Sequence, residues 1–409
     1  MGAAPRNTEG DHLIMADKTH GFGTRMSHGG RAGTHAHGFV NPGIHRGSTV
    51  LHASCEARGE AAKRRLDQVM TYGTQGGPTH YMLEDMIAEI EGGTRCTILG
   101  TGLAAVAVPL LAYLSAGDHC LMLDSAYGPA RNLAEGMMKR FGIETTYYDP
   151  TITGEAIAAL FRPNTRVLYT ESPGSHTFEV QDIPALAAVA HARGAKVLMD
   201  NTWGIHHFQP FRHGVDVSIQ ALTKYVGGHS DILLGSATVN TEEDWQVLRG
   251  AASQLGQYAS PDDCWLALRG LRTMNIRLRH QEAAGLEVAR WLETRPEILR
   301  VVHPGLPSHP QHALFRRDFT GSCSLFGVIF QPRFTHAQVC AFIDSLALFG
   351  IGASWGGFES LALPTTGNIT RTATIAEFGG EMARIHIGLE DTADLMADLQ
   401  AGLERMVAG

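Results

Sequence analysis

The chain has 409 residues, of which 44% are hydrophobic and 18% charged, an ordinary balance for a globular protein and enough for a large domain plus a smaller one. A formal charge of -8 without a lysine or arginine run excludes general attraction to nucleic acid or anionic lipid. No apolar stretch is long and uninterrupted enough to span a bilayer, and the six cysteines are too scattered for zinc or redox motifs; a cytoplasmic protein acting on a small molecule is expected, with no nucleic-acid or membrane partner.

Residues 1–75 are rich in glycine and histidine and carry little hydrophobic periodicity, so they read as an arm that packs against something else, such as a second subunit. The histidines between His12 and His52, with the pair His35 and His37, are irregularly spaced and lack carboxylate companions, which favours arm histidines over a metal site. Residues 1–14, ahead of Met15, are assigned no role.

From about residue 80 to 240, strand-like apolar runs at 96–99, 119–123, 145–148, 166–170, 196–199, 215–219 and 236–239 alternate with helical stretches. That pattern predicts an α/β large domain over 76–270, with a mainly parallel seven-stranded sheet covered by helices on both faces. A helix is expected over 184–193, ended by Gly194, and another over 103–114 that Pro109 kinks. Residues 271–409 read as a smaller α/β domain with strands near 324–330 and 384–387.

The chemistry begins with Asp200, which closes the apolar run 197–199 and so stands where ligands collect in a parallel sheet. Lys224 follows 24 residues later and is flanked by glycines at 227 and 228, a setting in which a lysine can form a Schiff base. Gly100-Thr101-Gly102-Leu103 follows a strand and opens a helix, so its free backbone N–H groups suit a phosphate. Taken singly, each has a plainer explanation: a helix cap, a surface charge, a tight turn. Together they supply what pyridoxal phosphate needs, namely an amine for its aldehyde, a carboxylate for its ring nitrogen and donors for its phosphate. The glycine pair lacks the full dinucleotide fingerprint, which disfavours a dehydrogenase.

Over most of its length, from about residue 30 onward, the sequence resembles the bacterial cystathionine β-lyases, fold-type I pyridoxal-phosphate enzymes of cysteine and methionine metabolism. The matching stretches are Glu171-Ser-Pro-Gly-Ser175, Asp200-Asn-Thr-Trp203, Val217-Ser-Ile-Gln220, Thr223-Lys-Tyr225, Gly228-His-Ser-Asp231, Gly270-Leu-Arg-Thr273, Ser354-Trp-Gly-Gly357 and 384–391. The resemblance implies that Lys224 holds the cofactor as a Schiff base, Asp200 pairs with its ring nitrogen and Tyr127 stacks on the ring. It further implies phosphate contacts from Gly102, Leu103 and Thr223, with Tyr72 arriving from a neighbouring subunit of a homodimer or homotetramer. Arg384 is then the clamp for the substrate α-carboxylate, and Ser354 and Trp355 line the same pocket.

The chain departs from the family at two positions. Thr74 stands in Tyr72-Gly73-Thr74 where relatives commonly have arginine, so a hydroxyl replaces a charge. Ala353 stands where β-lyases often carry tyrosine and γ-acting relatives an acidic residue. The expected activity is β-elimination from a sulfur amino acid such as L-cystathionine. A γ-acting relative, or a relative that uses the fold for binding or regulation, is the alternative.

Overall fold

The computed structural model describes residues 19–31, 39–375 and 377–408; His12, His35, His37 and residues 1–14 lie outside them. Seven strands form the large sheet: β1 (Arg95–Leu99), β2 (His119–Leu123), β3 (Glu144–Tyr148), β4 (Thr165–Glu171), β5 (Lys196–Asp200), β6 (Val217–Gln220) and β7 (Gly235–Val239). Their order is β1-β7-β6-β5-β4-β2-β3, with β7 antiparallel to both its neighbours and the other pairings parallel. All strands but β7 therefore run the same way, and their carboxyl ends share one edge.

The apolar runs that announced this sheet are continuous because helices cover both faces: every residue of β2 and β6 is buried. The helix expected at 184–193 runs Ile183–His191, capped by the Asp182 side chain on Ala185 N–H and followed by Gly194 at φ +71°. Pro109 sits inside Gly102–Tyr113, which continues past it as one helix. The strand expected from 215 starts instead at Val217, since the Val215 N–H is bonded to Pro210 O in the preceding turn.

The second sheet is antiparallel, in the order β10-β11-β9-β8, from β8 (Ile298–Val302), β9 (Leu325–Phe330), β10 (Leu361–Pro364) and β11 (Met382–His386). Its core is a separate cluster that includes Phe326, Val328, Phe342 and Leu399. One helix, Pro261–Glu293, serves both cores: Leu271, Met274 and Leu278 pack in the first, Ala284, Val288 and Leu292 in the second. The chain thus changes domain inside a continuous helix, within which the 270/271 division also falls.

Part of the N-terminal region packs on its own chain. Met26 of the helix Phe22–His28 is fully buried, and Arg272 Nη1 donates to the carbonyls of Met26 and Gly29 at 2.7 Å. Further along, Pro42 is buried and its carbonyl accepts from Trp265 Nε1 at 3.0 Å, but Phe39, Val40 and Leu51 are 74%, 62% and 91% exposed, and the helix Cys55–Lys63 buries no residue.

Arg249 fastens the turn Gly73–Gln75 to the large domain. Its guanidinium donates to Gln75 O at 2.8 Å, Glu84 Oε1 at 2.6 Å and Thr97 Oγ1 at 2.6 Å, and both charged side chains are buried. Removing one partner leaves the other charge uncompensated in a dry site. Glu84→Ala is expected to lower unfolding stability by about 3–5 kcal/mol, read as a shift in the urea midpoint.

Candidate active site

The carboxyl edge of the large sheet opens into a cavity of about 450 Å³. Strand ends deliver its polar groups: Glu171 from β4, Asp200 from β5, and Lys224 from the turn after β6. Gly102 and Leu103 bring the N-terminus of their helix to the wall, and Thr101 caps it by accepting from Ala104 N–H at 3.0 Å. Gly102 is required there, because a Cβ would lie 2.8 Å from that of Ala221. The smaller domain closes the cavity with Ala353, Ser354, Trp355 and Arg384.

Lys224 Nζ donates to Ser354 Oγ at 2.7 Å and lies 5.4 Å from the Trp355 ring centre. Ser354 holds φ +84°, unusual for a residue with a side chain, and its carbonyl accepts from Arg384 Nη2 at 3.0 Å. Gly356, at φ +82°, lets this loop pass so near the Lys224 backbone that a Cβ would meet it at 3.0 Å. Burial, and then the charge of Arg384, push the Lys224 amine down to about 8 against the opposing pull of Asp200. Burial likewise lowers Arg384, to about 10, which leaves it charged at neutral pH.

Glu171 and Asp200 are register partners on adjacent parallel strands, so two carboxyls stand side by side. Burial raises both. Glu171 is driven well above the usual carboxyl range, further raised by Asp200, while Asp200 is restrained by hydrogen bonds from Thr202 and by Lys224. The proton therefore goes to Glu171 and the charge stays on Asp200. Glu171 Oε2 also accepts the Tyr127 backbone N–H at 2.7 Å and so anchors that residue at the rim.

The cavity gathers Lys224, Asp200, Tyr127, Gly102, Leu103, Thr223, Ser354, Trp355 and Arg384. Tyr72 and Thr74 are not among its lining residues; Tyr72 is 51% exposed, on the turn that Arg249 holds. Glu171 belongs to a quoted motif without having been given a role, and His176 and Asn368 had no sequence signal beyond being polar residues in loops. A part-neutral amine, a buried carboxylate and free N–H groups at a helix start suit a cofactor that presents an aldehyde, a basic ring nitrogen and a phosphate.

A family model described as Cys/Met metabolism PLP-dependent enzyme matches residues 23–404. A Rhizobium johnstonii protein is 48% identical, covering 93% of this chain and 96% of its own length. The Escherichia coli protein "Cystathionine beta-lyase MetC" is 39% identical over 96% of this chain and 100% of its own. Among solved structures, "Crystal structure of metB from Corynebacterium glutamicum" superposes with a TM-score of 0.87 at 28% identity, covering 95% of this chain and 99% of that one. Sequence, fold and the presence of both the lysine and the aspartate in one cavity agree: the chain belongs to the Cys/Met metabolism PLP-dependent enzymes, with the fold-type I architecture.

Proposed function

We propose that this enzyme cleaves the Cβ–S bond of L-cystathionine, or of a related cysteine S-conjugate, consuming water and releasing a thiol such as L-homocysteine, pyruvate and ammonia. The observation that carries the reading is the convergence of the Lys224 amine, the Asp200 carboxylate and the Arg384 guanidinium on one cavity. Bound pyridoxal phosphate supplies the electron sink that lets a Cα proton leave an amino acid. The side chains do the rest.

Asp200 keeps its negative charge for the ring nitrogen because Glu171 beside it takes the proton. The N–H groups at the start of Gly102–Tyr113 and the Thr223 hydroxyl hold the phosphate, and Tyr127 offers an aromatic face. Arg384 binds the substrate α-carboxylate through two parallel hydrogen bonds, its position fixed by the bond to Ser354 O. Lys224 Nζ, held by Ser354 Oγ, takes the Cα proton and delivers it to the departing sulfur. Ala353 leaves room beside this pair for a bulky sulfur substituent.

Tyr72 and Thr74 contribute through a second subunit in this reading, which makes the working enzyme a homodimer or homotetramer. The exposed Phe39, Val40 and Leu51 of the arm supply apolar surface for that contact. No helix among the described residues is long and apolar enough to cross a membrane, and the reading places the enzyme in the cytoplasm.

Lys224→Ala is expected to slow pyruvate release by at least about 10²-fold and to abolish covalent cofactor attachment; retained turnover sinks the assignment, and 2-oxobutyrate in place of pyruvate moves it to γ-elimination. The pH dependence of cofactor capture is a second check. Only the neutral amine attacks an aldehyde, so covalent uptake of pyridoxal phosphate by the apoprotein should rise with pH through about 8, not through the 10.5 of an ordinary lysine. Arg384→Gln removes a positive charge and should move that midpoint up, whereas Asp200→Asn should move it down, both followed by stopped-flow absorbance.

A further inference from the structure

A second chamber of about 150 Å³ lies against the main cavity, and Ser175, His176 and Asn368 line both. Its walls are built. The Asp124 carboxylate, at the end of β2, accepts from the backbone N–H groups of Thr372, Ala373 and Thr374 at 2.9–3.0 Å and from Arg131 Nη1 at 2.9 Å. The segment beside Arg371 is thereby pinned to the large domain, and the charge of Asp124 is met within the wall.

Three buried polar atoms of this wall have no protein partner: Arg371 Nη1, His176 Nδ1 and Ser125 Oγ. The Arg371 side chain is only 4% exposed, and its Nη2 is committed to Thr177 Oγ1 at 2.6 Å and Glu179 Oε1 at 2.8 Å. His176 holds φ +63° and lies near Arg384; burial, and then that charge, push its imidazole down to about 4, so it is neutral at pH 7. Arg371 Nη1 is a donor with nothing to meet, and the Ser125 hydroxyl and, in one tautomer, His176 Nδ1 can donate beside it, which points to an acceptor that the protein does not itself provide. A guanidinium beside a neutral imidazole suits a carboxylate.

We propose that this chamber receives the far end of the sulfur substituent, and that Arg371 Nη1 with His176 selects substituents ending in a carboxylate. The inference rests on the lyase reading, in which Arg384 takes the α-carboxylate and the rest of the substrate extends past His176. L-Cystathionine carries such a terminal carboxylate. A short alkyl conjugate does not, and gains nothing from the chamber.

The test compares two probes, L-cystathionine and S-ethyl-L-cysteine, by calorimetry on full-length Lys224→Ala protein loaded with pyridoxal phosphate, where the Cα proton stays in place. The parent should bind L-cystathionine at least about tenfold tighter, and Arg371→Lys should collapse that preference while keeping a charge opposite Glu179. His176→Leu should reduce it by a smaller factor. No preference in the parent, or a preference that both substitutions leave intact, overturns the proposal and makes water the occupant. If Arg371→Lys fails to fold, the His176→Leu ratio decides alone. Pyruvate release by the protein with Lys224 intact is assayed separately: its absence sinks the lyase reading, while the binding ratio still judges the chamber.

Discussion

The hydrogen bond from Lys224 Nζ to Ser354 Oγ joins two parts of the chain that share no sheet, the turn after β6 and the loop before β10. The same serine offers its carbonyl to Arg384 on β11, so one residue in a strained backbone conformation sets the spacing between amine and guanidinium. Burial, and then the charge of the nearby guanidinium, disfavour the ammonium form, and the lysine, the stronger acid of the two cations, yields its proton first. A reactive amine at neutral pH is therefore a consequence of how the small domain packs against the large one.

The carboxyl side obeys the same logic with the sign reversed. β4 and β5 pair in a register that sets Glu171 beside Asp200, and the sheet leaves neither carboxyl free to move away. One of them must be neutral, and local donors choose which. Below them Glu91, fully buried at the end of Pro78–Glu91, accepts from Gln220 at 2.7 Å and from Ser218 and Asn201. Burial pushes Glu91 up to about 7, and Asp200 adds to the rise. Of the three carboxyls, Glu171 and Glu91 are pushed up by burial and by the charge of Asp200, so they take up protons more readily and leave the negative charge that the cofactor nitrogen requires to Asp200.

The large sheet was legible because burial on both faces favours unbroken apolar runs, and such runs are what β2 and β5 spell out. The small sheet was less so. β8 has two adjacent exposed residues, Leu299 and Arg300, between buried ones and so no period-2 alternation, and β10 is four residues long, too little pattern to separate from loop. The helix Pro261–Glu293 conceals the change of domain, since its apolar stripe runs on while the partner beneath it changes. In the site, Asp200 and Lys224 were readable as a pair because each follows a strand at the carboxyl edge, and Arg384 only through the family. Ser354 owes its importance to a backbone angle, and His176 and Arg371 to unmet hydrogen-bonding capacity, neither of which leaves a mark in one sequence.

Thr74 shows what position adds to composition. Its turn is held to its own large domain by Arg249, and Gln75 Nε2 donates to Ser253 Oγ at 3.0 Å, while the adjacent Tyr72 ring faces outward. A residue so mounted does not serve the cavity of its own chain, and in the proposed assembly it serves a neighbour's. Replacing the family's arginine by threonine there takes a positive charge from the phosphate end of that neighbouring cavity, and the helix start at Gly102 with Thr223 must then hold the anion through dipoles and hydrogen bonds. The cations that remain, Lys224 and Arg384 in the main cavity and Arg131 and Arg371 in the adjoining chamber, come from within one chain. Arg131 is already spent on Asp124 and Glu135. In the proposed reading, recognition of a substrate's charges falls to Arg384 at one end and, at the other, to Arg371, whose Nη2 is held by Glu179 while its Nη1 is left unmatched, an arrangement that suits a molecule with a carboxylate at each end.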